Sequence, residues 1–325
     1  MAMEYLRPYH VRASGHASGP VEAWSGYPLQ FAGQRRFGWQ DEMAADLRDA
    51  LAGLTVSPGD VLSGTYLSTD EPRCDVENRL FTNPGTAVFP KAVPSIRFER
   101  GLGPPPEPPT PVSRVDGQLH YYRYCLCPDQ SDTPHGPEFG ITHLSGMWQW
   151  WEPAVLLARW HRVTRNVADD GSCRPVWLAM KQAAAAGRVE VFGPAPDHAA
   201  PFGLRITVHP TARGPRRAVA ISESLVDGII AAFHAGAGAA GAAAAAAVLA
   251  RRLPGTTETE IAALAAMSSP GPLFAGSPLV IKASYVQISP CDERCVAGQV
   301  AIGPPAEGPF MQISGELFTL RRRRF

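Results

Sequence analysis

The sequence predicts an α/β or α+β fold, with a mixed β-sheet partly covered by helices. Three observations predict it. Stretches of helical and of strand periodicity alternate along the chain rather than segregating. Apolar residues make up 45% of the 325 residues, enough for a substantial core. The 31 glycines and 32 prolines punctuate the chain too often for a bundle of long helices.

Residues 5–36 mix Tyr9, Trp24, Tyr27 and Phe31 with Gly, Ser and Pro, a pattern of short strands and loops. Gln40 to Leu54 sets Met43, Ala44, Leu47, Leu51 and Leu54 at helical spacing, with Asp41 and Glu42 in the first turn and Gly53 as a stop. Strands are expected over 61–67 and 95–100, separated by a turn at Asn83-Pro84-Gly85. The segment GLGPPPEPPTP, residues 101–111, is stiff and extended. An aromatic strand follows over 119–126. Trp148, Trp150, Trp151 and Trp160 then crowd together as a packing hub. Pro153 suits the first turn of a helix running to about Val167.

A further helix is expected over 174–186. Leu204, Ile206 and Val208 alternate with Arg205, Thr207 and His209, giving a half-buried strand over 202–209. A turn at 211–215 leads into a second strand at 218–221, making a hairpin. Helices at 225–234 and 257–267 and strands at 279–289 and 310–320 complete the pattern. Thr257-Glu258-Thr259-Glu260 supplies a helix cap. The Ala/Gly run 235–247 is a weak helix former because of Gly236, Gly238 and Gly241. Both halves of the chain show the order helix, strand, acidic motif, as a diverged internal duplication would. The chain divides accordingly into an N-terminal half (1–100), a proline-rich linker or loop (101–114) and a C-terminal half (115–325).

Lys+Arg and Asp+Glu both number 30, so the formal net charge is +0. A protein that grips nucleic acid everywhere is usually basic overall. Contact with nucleic acid would here pass through local patches: Arg213, Arg216 and Arg217, or Arg321 to Arg324 at the end of the chain. Such basic runs serve as readily as solubilising or protein-binding segments, so a protein partner or a homo-oligomer fits as well. Six cysteines are too few for a disulfide scaffold of this size. The opening MAMEYLRPYHVRASG lacks a signal peptide's apolar run, and residues 235–250 are too short and weakly apolar to span a bilayer. A reduced, cytoplasmic protein without a membrane partner is expected.

Two acidic signatures carry the candidate chemistry. The first is Asp75-Val76-Glu77-Asn78. On a continuing strand, Asp75 and Glu77 would point to one side and share a magnesium ion, with Asn78 orienting them. The second runs from Ser222 to Gly228. On a helix, Leu225, Val226, Ile229 and Phe233 form an apolar stripe, and Asp227 and His234 fall together on the opposite side, with Glu223 joining if the helix starts early. A bland reading competes: Ser224-x-x-Asp227 resembles a capping box, which would leave Asp227 a helix-end charge.

Helix, strand, then Asp75-x-Glu77-Asn78 resembles the RusA-like Holliday-junction endonucleases over about residues 40–80. A fainter echo covers about 202–235, where Asp227 stands at the later acidic position, Leu225 at the earlier one and Gly228 at the Asn. The resemblance implies a magnesium-dependent enzyme that works as a homodimer on branched DNA, with the acidic residues holding the metal that activates water. Glu77 departs from the family's second Asp, and Pro84 stops any long helix after the motif. The family's helix lysine and its further Asp have no evident counterpart here.

The expected function is a divergent magnesium-dependent nuclease-like protein acting on phosphodiesters. Asp75, Glu77 and Asp227 would hold magnesium in a site composed from both halves, and His234 would assist proton transfer. The alternative is a non-catalytic scaffold or interaction protein with an incomplete site. Zinc is not expected: Cys125-x-Cys127 and Cys291-x-x-x-Cys295 lack the C-x-x-C knuckle. Gly236-Ala237-Gly238-Ala239-Ala240-Gly241 matches G-x-G-x-x-G but follows a helix, which excludes the dinucleotide reading.

Overall fold

The computed structural model describes residues 6–31, 37–69, 74–129, 146–165, 172–192, 197, 200–212, 214, 217–268, 273–282, 285–290 and 292–324. Its strands are β1 (Tyr9–Ala13), β2 (Val21–Ser25), β3 (Asp60–Ser68), β4 (Ser95–Arg100), β5 (His120–Pro128), β6 (Trp151–Thr164), β7 (Val189–Val191), β8 (Phe202–His209), β9 (Leu279–Ile281), β10 (Val286–Ile288), β11 (Cys295–Ile302) and β12 (Gln312–Arg322). The helices are α1 (Gly38–Ala52), α2 (Arg174–Ala185), α3 (Ser222–Ala232), α4 (Ala239–Leu249) and α5 (Glu258–Ala266). Ten strands form one mixed sheet in the order β1-β2-β5-β3-β4-β11-β8-β12-β6-β7, and β9 and β10 pair separately. No helix among the described residues is long and apolar enough to cross a membrane.

Strand pleating explains where the core lies. Leu62 and Tyr66 of β3, Ile96 and Phe98 of β4, Leu204, Ile206 and Val208 of β8 and Val300 of β11 share one face. Met43 and Leu47 of α1, Val176 and Trp177 of α2 and Leu225 and Ile229 of α3 bury their apolar sides in the same cluster. The opposite face alternates to polar residues, among them Arg97, Gln299 and Arg205. Two smaller apolar clusters belong to that face, one around Trp148, Trp151 and Phe318 and one around Trp24, Leu67 and Tyr121.

The sheet repeats one topology. Read outward from its middle, the orders are β4-β3-β5-β2-β1 and β11-β8-β12-β6-β7. Each series begins with a parallel pair and continues with three antiparallel pairs. In chain order, β2, α1, β3, a helical segment from Val76 to Thr82, β4 and β5 correspond to β6, α2, β8, α3, β11 and β12. The edge strands β1 and β7 and the insertion of α4, α5 and the β9–β10 hairpin break the correspondence. Arg97 and Gln299 face each other where β4 meets β11. Each also faces the matching residue of its own half, Ser63 and Arg205 respectively. An approximate two-fold axis therefore passes through the Arg97–Gln299 pair. The proline-rich stretch links β4 to β5, which flank β3 in one sheet, and is tied down where Trp24 Nε1 donates to the Pro106 carbonyl at 2.8 Å.

Close approach at this junction demands glycine. Gly298 lies opposite Phe98, and a Cβ at Gly298 would come within 2.3 Å of the ring's Cζ. Phe98 is fully buried and has nowhere to move. Gly298→Ala should lower unfolding stability by about 1–3 kcal/mol, the usual cost of overpacking, measured by urea titration. An unchanged midpoint would show that the two halves tolerate separation at their seam.

Several sequence expectations are corrected. Residues 153–164 form no helix (166 and 167 lie outside the described residues); they belong to β6. Its β-branched and aromatic side chains pair along β12, and Pro153 is tolerated because β7 pairs only with 158–160, leaving that end of β6 an edge next to a bulge. The tryptophan hub divides: Trp148 and Trp151 pack on one sheet face, whereas Trp160 joins the main core against Phe233. Residues 218–220 make a 3-10 turn rather than a hairpin strand. Residues 279–289 contain two short strands, and Cys295 opens the central strand β11, a stretch for which the periodicity predicts no strand. The Ala/Gly run does form α4, starting after Gly238. Thr257 caps α5 as expected, accepting from the Glu260 amide at 3.2 Å.

Candidate metal centre

Asp75 lies beyond the end of β3, where the chain turns into a helix. The strand does not continue through Asp75-Val76-Glu77-Asn78: Val76 and Glu77 are already helical, and residues 78–82 take π geometry before Asn83-Pro84 ends the segment. Asp75 caps this segment, its Oδ1 accepting from the Asn78 amide at 3.0 Å, and the Asn78 side-chain amide donates to Oδ2. Helical geometry turns Asp75 and Glu77 to different sides, which corrects the expectation that both face one way. Glu77 is 2% exposed and accepts from the Ser222 hydroxyl, and the Thr82 hydroxyl lies 3.4 Å from its carboxylate.

Asp227 occupies the second turn of α3. The helix begins at Ser222, earlier than the capping reading required, and the Ser224 hydroxyl donates to the Ile221 carbonyl at 3.2 Å rather than capping an amide. Asp227 is thus not a helix-end charge. Gly228, the position after it, is where α3 touches α2: a Cβ there would come within 2.6 Å of the Cys173 carbonyl oxygen.

The structure brings Asp75 and Asp227 together and adds Asp292. One carboxylate oxygen from each lies within 4.8 Å of the others. Asp292 opens the 3-10 turn immediately before β11. Sequence reasoning missed it because one Asp in a short connection carries no periodicity. Its only signal was its place just before a strand, and that strand went unrecognised. Glu77 stands behind the group rather than in it. Glu223, in the first turn of α3, borders with Asp75 an open cavity of about 450 Å³, which Phe31, Asn78 and Arg79 also line.

The electrostatics agree with this crowding. Burial pushes Asp227 well above the usual carboxylate range, and the charges of Asp292, Asp75, Glu77 and Glu223 push the same way. Burial and then Asp75 raise Glu77 well above its ordinary value, and Glu223 is raised by the same causes. Asp292 is pushed up to about 8 by burial, the nearby charge of Asp75 and a hydrogen bond shared with it. Burial raises Asp75 too, against hydrogen bonds from Asn78 and Asp292. Among the described residues, no Lys, Arg or His forms an ion pair with Asp75, Asp227 or Asp292. Two unit charges about 4.8 Å apart repel by roughly 3 kcal/mol at an effective dielectric of 20. The donor set, all hard oxygens, fits a hard divalent cation such as magnesium. The buried Asn78 amide oxygen, which has no hydrogen-bond partner, adds one more unspent acceptor nearby.

His234 is not part of the group. It follows the end of α3, about 10 Å along the helix axis from Asp227, and lies against Phe274 with Nδ1 3.2 Å from the Gly276 carbonyl. Its pKa is lowered, chiefly by burial. Cys125 and Cys127 share a face of β5, and Cys295 is buried in β11; Cys291 lies outside the described residues. Arg213 and Arg216 also lie outside them, whereas Arg217 donates to the Thr86 and Phe89 carbonyls. The terminal arginines are ordered: Arg321 and Arg322 belong to β12, Arg321 pairs with Glu152 at 2.7 Å, and Arg323 donates to the Trp148 carbonyl. Compared with protein-family models, curated proteins and solved structures, the chain matches none of them.

Proposed function

We propose that the protein is a magnesium-dependent phosphodiester hydrolase acting on nucleic acid, related to the RusA-like endonucleases. The observation that carries this reading is the meeting of Asp75, Asp227 and Asp292, from distant parts of the chain, beside an open cavity. Asp75, Asp227 and Asp292 hold the ion. Magnesium bound there supplies charge neutralisation for the phosphate and a more acidic water. Asn78 fixes the Asp75 carboxylate through two hydrogen bonds, so its oxygens are oriented before any ion arrives. Ser222 holds Glu77 in the wall behind the three ligands. Arg79, which lines the cavity and donates to the Leu29 carbonyl at 3.1 Å, meets the substrate phosphate with the rest of its guanidinium. The topological repeat supports the family reading, since two matching halves stand where a homodimer has two subunits. The protein acts in the cytoplasm, and nucleic acid reaches it through a local surface.

A second reading, a non-catalytic interaction protein, is favoured by the zero net charge and by the engagement of Arg217, Arg321 and Arg323 in internal contacts. One experiment separates the two. Purified protein is incubated with supercoiled plasmid and with branched DNA, in magnesium and in chelator. Hydrolysis is expected in magnesium alone and should be lost in the combined Asp75→Asn, Asp227→Asn and Asp292→Asn variant. No cleavage by the parent rejects the enzyme in favour of the interaction protein, and retained cleavage in that folded variant rejects the three acids as its site.

A further inference from the structure

The approximate two-fold axis makes a direct comparison possible between the candidate centre and the place its symmetry mate would occupy. The two first turns, at Val76–Glu77 and Ser222–Glu223, meet where Ser222 donates to Glu77, so the centre lies close to the axis. Position by position, the halves differ in their acids. The residue before the first helix is Asp75; before α3 it is Ile221. The second helical residue is glutamate in both, Glu77 and Glu223. The sixth is Phe81 in one helix and Asp227 in the other. The connection to the central strand holds Asp292 in the C-terminal half, whereas residues 83–94 of the N-terminal half contain no Asp or Glu. Ile221 and Phe81 are buried apolar side chains packed in the core.

The matching glutamates have also parted in role. Glu77 is sealed and bonded by Ser222, while Glu223 borders the cavity. The acids have therefore been collected on one side of the axis, and the mate position is filled with hydrocarbon. A carboxylate set cannot form there without burying charge beside Phe81 and Ile221, at a cost no partner offsets.

We infer that this chain is a two-fold body with a single cation centre, and that on duplex nucleic acid it cuts one strand per binding event. The second part rests on the hydrolase reading above; the first does not. In each event a water oxygen joins the phosphorus and one ester P–O bond breaks. One water proton goes to the departing alkoxide and the other to solvent, leaving a phosphate monoester and a free hydroxyl.

Two measurements on the full chain test this. Calorimetric titration with magnesium alone should give one ion per chain, falling to none in Asp292→Asn. On supercoiled plasmid, open circles should accumulate first, with linear product arising only later from independent nicks. Two ions per chain would overturn the single centre. Linear product formed from the outset would overturn the one-strand cut, as would absence of any cleavage. One ion bound without cleavage keeps the single centre and removes the hydrolase reading, so the two failures are distinguishable. Absence of ion binding removes both.

Discussion

Asp292→Asn is expected to lower magnesium-dependent turnover by about three orders of magnitude while leaving the fold intact. The substitution keeps the size and planarity of the side chain and removes only its charge. Asp292 is one of three carboxylates within 4.8 Å of one another, and it sits in a short turn directly before a central strand, so it has little freedom to be replaced by a neighbour. Losing a ligand charge forfeits roughly 4 kcal/mol of transition-state stabilisation at an ion that acts on phosphate, which is about a thousandfold in rate. Glu77→Gln gives the contrast. Glu77 is buried and engaged by Ser222 and Thr82, and glutamine can keep those hydrogen bonds. Its loss should cost about tenfold, the range of groups that act behind the ligands. Single-turnover rates on labelled DNA, with circular dichroism to confirm folding, decide the matter. Equal losses in the two variants would mean that Glu77 touches the ion and that the assignment of Asp292 is misplaced.

The fold class was legible from periodicity because most elements alternate or repeat at their own period. β8 and α1 are examples, with Leu204, Ile206 and Val208 on one face and Met43, Leu47 and Leu51 on another. β6 was misread because Pro153 and its run of Val, Leu and Trp suit a helix start as well as a bulged strand; only pairing with β12 decides between them. β11 was missed because Gly298 and Ala297 remove its apolar signal, and glycine is needed there for contact with Phe98 rather than for any local preference. Two of the three acids in the group were legible. Asp75 and Asp227 stand out in motif and helix pattern, but their meeting depends on the antiparallel pairing of β4 and β11, a long-range choice no local window records. Glu77 and His234 carried the right chemistry for the site and were placed elsewhere by helix phase and helix length. The two-fold relation was visible as a shared order of elements, yet the residues had diverged too far for direct repetition. What preserved it is strand order and pairing sense, which many sequences can satisfy.

Without divalent cations, thermal stability should fall as pH rises from about 4 to about 8. The sign follows from the carboxyl groups. In the unfolded chain they titrate near 4. In the folded protein Asp292 titrates at about 8, and Asp75, Glu77, Asp227 and Glu223 are all raised. The folded state therefore binds more protons than the unfolded state throughout this window, and each proton withdrawn as pH rises costs folding free energy. The contribution of Asp292 is complete below about pH 4 and lost as pH rises through about 8. Other groups overlay it. Glu99, raised to about 7 by burial, acts in the same direction, whereas His234, lowered by burial, gains stability toward neutral pH. Comparing the parent with Asp292→Asn cancels both, because each is shared. The difference should grow to on the order of a few kcal/mol by pH 8, about 5 °C in melting temperature, with the variant the more stable. Magnesium should reverse the order: at a hundredfold excess over its dissociation constant it stabilises the parent by about 2.7 kcal/mol and the variant far less. Melting curves at pH 5, 6, 7 and 8, with and without magnesium, provide the measurement. Parallel curves for the two proteins in chelator would mean that the acids do not repel one another, and the case for a cation between them would fall with that result.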